Sequence, residues 1–320
     1  MNRLFAVFAV ILAVLASAAH AQQWPAAPVK VIVNVAAGGV ADVTMRVLAA
    51  RLGETLGHPF IVDNRPGGDG YIGFEAVMRA EADGHTLLYS PGSSVMISPH
   101  LVKRTDIDPV KAFVPVIPTA QGALYLVTHP DFPATTLAEF LAHARANPGK
   151  LNYGTPGNGT SPHVATGLLS REAKINVHHI PYKGAGPALK DLLGGVIHFS
   201  LDPGVALPQV KGGKLRLLAI AGPKRHPEYP NVPTLEESGL KGVDSGPPFG
   251  FYAPTGTPRG VVERLNRETG KILLEPVVRE RFAVSGVNTV EPTSADAFAA
   301  YVKTQSERYA KLLPELGITQ

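Results

Sequence analysis

Short apolar runs alternate with segments of helical periodicity along most of the chain. Residues 29–33 predict a buried strand, and residues 43–52 repeat their apolar positions at the spacing of one helix face. Asp42 is the predicted N-cap of that helix, and Gly57 is its predicted end. Further strands are predicted at 60–62, 86–89, 123–127, 151–153, 177–180, 196–199 and 215–220.

The remaining helical patterns complete an α/β arrangement. A helix capped by Thr136 is expected to end near Asn147, and residues 258–316 are predicted to be mainly helical, with Ser294 as an N-cap. The Pro-rich segment 223–233 is predicted to be a surface connection. Such alternation is typical of βαβ units, so the sequence predicts mostly parallel sheets.

The first residues have the pattern of a secretory signal peptide. A positive start at Met1–Arg3 precedes an apolar run at 4–15 and an Ala19-His20-Ala21 triplet, which predicts cleavage before Gln22. The apolar run is shorter than the roughly 20 residues that span a bilayer, although an uncleaved anchor is the alternative. We therefore expect a periplasmic protein with residues 1–21 removed.

Composition narrows the possible functions. The 320 residues, 45% of them hydrophobic, suggest about two domains with a substantial core. Cysteine is absent, so an exported chain would fold without disulfides. The net charge of +4 is small, and the chain has no dense Lys/Arg run, so a nucleic-acid partner is not expected.

Glycine-rich loops follow several predicted strands, where open parallel sheets bind ligands. Loop 35–42 leads into a helix N-terminus, whose free amides favour an anion, although an ordinary tight turn explains the pattern equally well. Loop 154–163 has the same placement and adds Asn, Thr and Ser donors. Its alternative is a capping loop, with Ser161 as N-cap and Pro162 as the first helical residue.

Two further positions carry charge near such loops. Lys183 could contact a carboxylate, or it could be solvated. Asp202 follows the strand, read here as running over 196–201, and either faces the cleft or forms a plain turn.

The spacing of Gly68, Gly70 and Gly73 matches a dinucleotide-binding fingerprint, but the context does not. The cluster does not follow its strand directly, and no acidic residue lies about 20 positions beyond it. We therefore predict no cofactor. The chain also has no Gly-x-Ser-x-Gly, His-Glu-x-x-His or Walker motif, and His178 and His179 would point to opposite faces of a strand. Neither an enzyme nor a metal site is expected, with an exported enzyme left as a rival interpretation.

An ordered set of motifs resembles the tripartite tricarboxylate transporter receptor family, the extracytoplasmic solute-binding proteins also called Bug proteins. The motifs lie at 36–42, 63–67, 83–88, 148–153, 157–161, 181–184, 213–219, 232–240 and 253–258. The resemblance implies a two-lobe periplasmic-binding-protein fold of type II with a hinge. We assign residues 22–122 and 231–320 to lobe 1 and residues 123–230 to lobe 2.

The resemblance also implies a small carboxylate ligand, either an organic acid or an amino acid, held by one loop from each lobe. Positions 40 and 41 lack the hydroxyls usual in the family, so backbone donation would dominate there. The predicted ligand-binding residues are Ala36, Ala37, Gly38, Gly39, Val40, Ala41, Asp42, Ser90, Ser93, Gly157, Asn158, Gly159, Thr160, Ser161, His163, Tyr182, Lys183 and Asp202. The partners implied are membrane permease subunits of a tripartite transporter or, alternatively, a sensor kinase.

Overall fold

The computed structural model of the protein describes residues 24–102, 104, 106–222 and 224–319. The predicted signal peptide at 1–21 lies outside this range. The eleven strands within it are β1 (Val29–Val33), β2 (Phe60–Asn64), β3 (Thr86–Ser90), β4 (Phe113–Gly122), β5 (Leu124–Thr128), β6 (Leu151–Thr155), β7 (Val177–Pro181), β8 (Phe199–Asp202), β9 (Arg216–Ala221), β10 (Phe249–Pro254) and β11 (Val287–Thr289).

The described helices are α1 (Val40–Leu56), α2 (Tyr71–Met78), α3 (Gly92–Met96), α4 (Pro109–Ala112), α5 (Leu137–Ala146), α6 (Ser161–Ala173), α7 (Ala185–Leu193), α8 (Leu207–Lys211), α9 (Arg259–Leu273), α10 (Pro276–Val284) and α11 (Ala295–Glu315). Two 3₁₀ turns, Gly68–Gly70 and Ser98–His100, precede α2 and follow α3.

The strands form two sheets, which confirms the α/β two-lobe fold. One sheet has the order β11-β4-β10-β3-β1-β2 and the other β7-β6-β8-β5-β9. Both sheets are mixed, so the expectation of mostly parallel sheets is wrong. Pairs among β1, β2 and β3 and among β6, β7 and β8 are parallel, whereas β4, β5, β9, β10 and β11 pair antiparallel with their neighbours.

The antiparallel strands β4 and β10 were not predicted, and their composition explains why. Pro115 and Pro118 interrupt the β4 pattern, and a proline cannot donate to a ladder. The pairing with β10 accommodates them through two register shifts, between Phe249 and Gly250 and between Phe251 and Tyr252. Strand β8 also begins at Phe199, later than the 196–199 run suggested.

Helix α1 follows the carboxyl end of β1, where a ligand site is expected, and its bounds follow from the local sequence. Met45, Leu48 and Leu52 are fully buried at helical spacing, and the helix ends at Gly57, whose φ of 76° is the left-handed conformation that glycine adopts easily. The N-cap is Gly39, so the prediction of Asp42 as N-cap is wrong. Asp42 instead lies in the first turn, where its negative carboxylate interacts favourably with the positive end of the helix dipole.

Three segments join the two sheets. Strands β4 and β5 are nearly continuous through Gly122 and Ala123, and the segment 222–248 returns from β9 to β10. In addition, Leu316 and Ile318, beyond α11, lie against Gly167 of α6. One buried apolar cluster accordingly includes residues of both sheets, such as Ile32, Tyr252, Leu126 and Phe199.

Candidate functional site

A cavity of about 230 Å³ lies between the two lobes. The first lobe contributes Asp69, Ser98, Leu101 and Val102, and the second contributes Gly157, Asn158, Pro181, Tyr182 and Lys183. Pockets for drug-sized ligands usually measure about 300–1,000 Å³, so this space suits a smaller molecule. Leu101 and Val102 give the cavity an apolar wall, and the polar groups are mainly on the facing lobe.

The loop between β6 and α6 contributes donors from the second lobe, but its internal hydrogen bonds use several of them. The Gly157 carbonyl accepts from the hydroxyls of Thr160 (2.8 Å) and Thr155 (3.1 Å), and the Gly159 amide donates to His163 Nδ1 (3.2 Å). The backbone amides of Asn158 and Thr160 have no partner in the described part of the chain. Both amides lie at the N-terminus of α6, which is the positive end of the helix dipole and stabilises an anion.

The N-cap of helix α6 lies one residue earlier in the chain than the sequence suggested. Thr160 is the N-cap, so the prediction of Ser161 as N-cap and Pro162 as first helical residue is wrong. Ser161 is the first helical residue and lies against Gly246, where a Cβ would meet its Oγ and Cβ. Ser161 therefore borders the interlobe connection and does not line the cavity.

Two stacked histidines, His163 and His179, pack beside this loop and form hydrogen bonds with Gly159 and Thr155. The ring centroids of His163 and His179 are 3.8 Å apart at an interplanar angle of 16°, and the Tyr153 ring stacks with His179 at 5.0 Å. Burial lowers the pKa of His163 to about 4, and burial together with the two neighbouring histidines lowers the pKa of His179 to about 3. Both rings are neutral near pH 7. Since Nδ1 of His163 accepts from Gly159, His163 carries its proton on Nε2.

Tyr182 and Lys183 occupy the same cavity in different ways. The Tyr182 hydroxyl donates to Asp191 Oδ2 at 2.7 Å, which fixes the ring. Desolvation, with the hydrogen bond to Asp191 and the charge of that carboxylate, raises the pKa of Tyr182 to about 12. Lys183 is exposed and forms no ion pair with any described residue. Its ammonium group is free to meet a ligand carboxylate.

Asp202 is placed by the structure in a turn. Its Oδ1 accepts from the amides of Gly204 (2.7 Å) and Ala206 (2.8 Å), and it does not line the cavity. Burial raises the pKa of Asp202 to about 6 despite these bonds. Gly204 packs against Gly286 of the other lobe, so this turn is an interlobe contact. Of the two interpretations of Asp202, the geometry favours the turn.

The first-lobe loop 36–42 lies at the carboxyl end of β1 but outside the cavity lining. The Gly38 amide donates to Asp42 Oδ2 at 2.9 Å, and Asp42 Oδ1 pairs with Arg46 at 2.9 Å. Burial raises the pKa of Asp42, but the hydrogen bonds from Arg46 and Gly38 outweigh it and lower the pKa overall. The amides of Gly39, Val40 and Ala41 at the helix start have no backbone partner in the described chain, while Ala36, Ala37 and Gly38 are exposed.

The two serines predicted near β3 are placed elsewhere. Ser90 is fully buried and its hydroxyl donates to the Pro91 carbonyl at 3.1 Å. Ser93 is buried in α3, where Gly92 packs tightly against Pro247 and Pro248. Neither serine lines the cavity.

Sequence reasoning missed all four first-lobe residues that line the cavity, namely Asp69, Ser98, Leu101 and Val102. Asp69 stands in the glycine-rich loop after β2, whose carboxyl end neighbours that of β1 in the sheet. That adjacency was available as a signal for Asp69. Ser98, Leu101 and Val102 belong to short irregular turns with no periodic pattern, so their position follows only from the assembled fold.

Metal and membrane signatures are lacking in the part of the chain that the structure covers. No group of three or more His, Cys, Asp or Glu side chains could hold a metal ion among those residues. Their helices include none that is long and apolar enough to cross a membrane.

Two α/β lobes that face one small cavity define a two-lobe solute-binding protein, and comparison with known proteins gives the family. The model of the tripartite tricarboxylate transporter family receptor matches residues 44–318. Protein BugT of Bordetella pertussis is 34% identical over 322 residues, covering 99% of this chain and 98% of BugT. The chain therefore belongs to the tripartite tricarboxylate transporter receptor family, which confirms the resemblance.

Solved structures agree with this assignment. Rpa4515 of R. palustris with adipate is similar with a TM-score of 0.86 and 30% identity, over 93% of this chain and 99% of that one. MatC of Rhodopseudomonas palustris with bound malate has a TM-score of 0.80 and 31% identity, over 91% of this chain and 100% of that one. Both of these neighbours hold small carboxylates.

Proposed function

We propose that this protein is a periplasmic receptor that captures a small carboxylate in the interlobe cavity and presents it to the membrane subunits of a tripartite transporter. The observation that carries the proposal is the cavity itself, where Lys183 and the amides of Asn158 and Thr160 in the β6–α6 loop have no partner among the described residues. An anion there would be bound by a positive charge, by backbone donors and by a helix dipole at once. The carboxylates bound by Rpa4515 and MatC support the same ligand class.

The first-lobe amides of Gly39, Val40 and Ala41 belong to this proposal as a second set of donors. In the present arrangement they lie outside the cavity lining. A rotation of the lobes about the β4–β5 and 222–248 connections would change the distance between the two loops. We propose that the two loops hold the carboxylate from both sides, with the first-lobe loop donating only through its backbone.

Binding is tested by calorimetric titration of a panel of mono-, di- and tricarboxylates that includes adipate and malate. We expect at least one to bind without being consumed, and at 100 times its dissociation constant to stabilise the fold by about 2.7 kcal/mol. If no member of the panel binds at millimolar concentration, the proposal fails. Conversion of a bound ligand into product would instead support the rival interpretation as an exported enzyme.

Lys183→Gln gives the residue-specific test. Removing the ammonium group should weaken binding of the tightest carboxylate about tenfold, or about 1.4 kcal/mol, because a charge-assisted contact is lost. Lys190→Gln is the matched control, since Lys190 is also an exposed lysine and lies on α7 outside the cavity. If both variants bind the carboxylate with equal affinity, Lys183 does not contact the ligand.

The transporter partnership and the export step are tested separately. Crosslinking of the liganded protein to permease subunits encoded near its gene should give a defined adduct, whereas an adduct with a sensor kinase alone would replace the transporter with a signalling partner. N-terminal sequencing of periplasmic material should begin at Gln22 if the signal peptide is removed as the Ala19-His20-Ala21 triplet predicts.

A further inference from the structure

Asp69 has a left-handed backbone conformation, which aspartate adopts more readily than most residues but less readily than glycine. Its φ and ψ are 55° and 29°, and it continues a run in which Gly67, Gly68 and Gly70 also have positive φ. Lys174 is the other described non-glycine residue with positive φ, and it ends helix α6, where a left-handed residue is usual. Glycine would fit position 69 without strain, whereas aspartate is tolerated there mainly because its short side chain can hydrogen-bond locally, so such a bond is the first reason to look for.

Local interactions do not supply that reason. The Asp69 carboxylate makes no hydrogen bond and no ion pair with any residue the structure describes, and its side chain is exposed. The nearby arginines are already engaged, since Arg65 pairs with Asp63 and Arg104 pairs with Glu75 and Asp106. Asp69 is therefore a strained, unneutralised charge, and it lines the interlobe cavity.

The opposite wall of the same cavity carries the opposite charge. Lys183 and the partner-free amide of Asn158 line it from the second lobe, and Lys183 is likewise unpaired among the described residues. The cavity thus has an anion-binding side on one lobe and a cation-binding side on the other. With a volume of about 230 Å³ it brings both sides within reach of one small molecule.

We propose that this cavity takes a zwitterion, a carboxylate that also carries an ammonium group, and that Asp69 selects it. The inference rests on the proposed function and names its ligand class. The ligand carboxylate meets Lys183 and the β6–α6 loop, and the ammonium group meets Asp69. A dicarboxylate would place its second negative charge beside Asp69, where like charges repel, so Asp69 also acts against such ligands.

The test compares ligands that differ only at the ammonium position. Calorimetry is done with L-aspartate against L-malate, which both carry two carboxylates and differ in an ammonium for a hydroxyl, so this pair tests the attraction of Asp69 for the ammonium group. It is repeated with 6-aminohexanoate against adipate, which differ in an ammonium for one carboxylate, so this pair also tests the repulsion. In at least one pair the ammonium-bearing member should bind the wild-type protein at least tenfold more tightly. Adipate and malate binding as tightly as their amino counterparts, or more tightly, would overturn the inference and leave the proposed function standing.

Two substitutions then locate the preference at residue 69. Asp69→Gly relieves the backbone and Asp69→Asn keeps the shape, and both remove the charge. In both variants the amino ligand should weaken at least tenfold, while the dicarboxylate binds more tightly than before. Asp131→Asn is the control, because the Asp131 side chain is 91% exposed and lies outside the cavity.

The remaining outcomes also decide the question. If Asp69→Asn weakens all four ligands equally, Asp69 acts in lobe closure, for example by pairing with Lys183, and the selectivity inference is wrong. If Asp69→Asn and Asp131→Asn behave alike, Asp69 has no role in binding. If neither class of ligand binds the wild type, the proposed function fails and this inference fails with it.

Discussion

At the scale of single residues, the second-lobe loop depends on a neutral histidine. His163 can accept from the Gly159 amide only while its Nδ1 is unprotonated. Burial lowers the pKa of His163 to about 4, below the value of 6.5 expected in the unfolded chain. The stacked ring of His179 is in the same state, so a cation on either ring would face the other at 3.8 Å.

This arrangement predicts how stability depends on pH. The folded pKa is lowered, so the unfolded chain binds more protons below pH 6.5, and the contribution of His163 is present above that pH and lost as the pH falls through about 4. The shift corresponds to on the order of 3 kcal/mol for His163 at 1.36 kcal/mol per pKa unit. Urea unfolding measured from pH 7 to pH 4 should show the free energy of unfolding falling.

His163→Asn isolates this contribution, because its side-chain oxygen can still accept from Gly159 but does not titrate. We expect the variant to lose less stability than the wild type between pH 6.5 and pH 4. His178→Asn is the control, since His178 is the exposed neighbour of the stack. A wild-type pH dependence retained in His163→Asn would show that this ring does not titrate as described.

At the scale of elements, the loop between β6 and α6 is held close to the other lobe by a glycine. Gly159 has a φ of 68°, and a Cβ there would lie 2.8 Å from Leu101 Cδ1 and 3.4 Å from Ser98 Cα. By contrast, Gly39 has an ordinary φ of −78° and only one ordinary neighbour contact, so the first-lobe loop has no such requirement at that position. The two loops were similar in sequence but differ in how tightly they are packed.

Gly159→Ala should therefore weaken ligand binding by about tenfold or more and lower the free energy of unfolding by about 1 kcal/mol, the size expected for a side chain in the left-handed region. Gly186→Ala in α7 is the matched control, because its Cβ would meet no atom within 4 Å and its φ is ordinary. Calorimetry and thermal unfolding of both variants provide the measurement. Wild-type affinity in Gly159→Ala would show that close approach of this loop is not required.

The same comparison shows what the sequence could predict. Strands β1, β2, β3, β5, β6, β7 and β9 and the caps at Thr136 and Ser294 follow from local patterns, because each pattern has its own period or hydrogen-bonding side chain. Strand β4 was missed because its prolines are tolerated only through irregular pairing with β10.

In the site, the predicted residues Tyr182, Lys183, Gly157 and Asn158 do line the cavity, since they follow strand ends of one sheet. Ser98 and Leu101 approach them only across the lobes, and no local pattern encodes that contact.

At the scale of the whole molecule, the two lobes share buried apolar packing, so we expect them to unfold together. One buried cluster includes Ile32 and Tyr252 of the first sheet together with Leu126, Phe140 and Phe199 of the second lobe. Removing core packing from one lobe should therefore destabilise the other through shared contacts. Such coupling would let a ligand that contacts one lobe also change the stability of the other.

The single tryptophan makes this coupling measurable, because Trp24 is buried in the first lobe with its ring edge-on to Phe60. Phe140→Ala, which removes a fully buried ring packed 5.0 Å from Phe199, should lower stability by about 3–5 kcal/mol.

We expect Trp24 fluorescence and far-ultraviolet circular dichroism to report one coincident transition in the wild-type protein, and Phe140→Ala to shift both by the same amount. Val284→Ala is the control, since Val284 is 86% exposed and its loss should shift neither. If Phe140→Ala moves the dichroism transition while the Trp24 transition stays in place, the lobes unfold separately. The shared cluster would then not couple them, and ligand binding would have to act on each lobe by its own contacts alone.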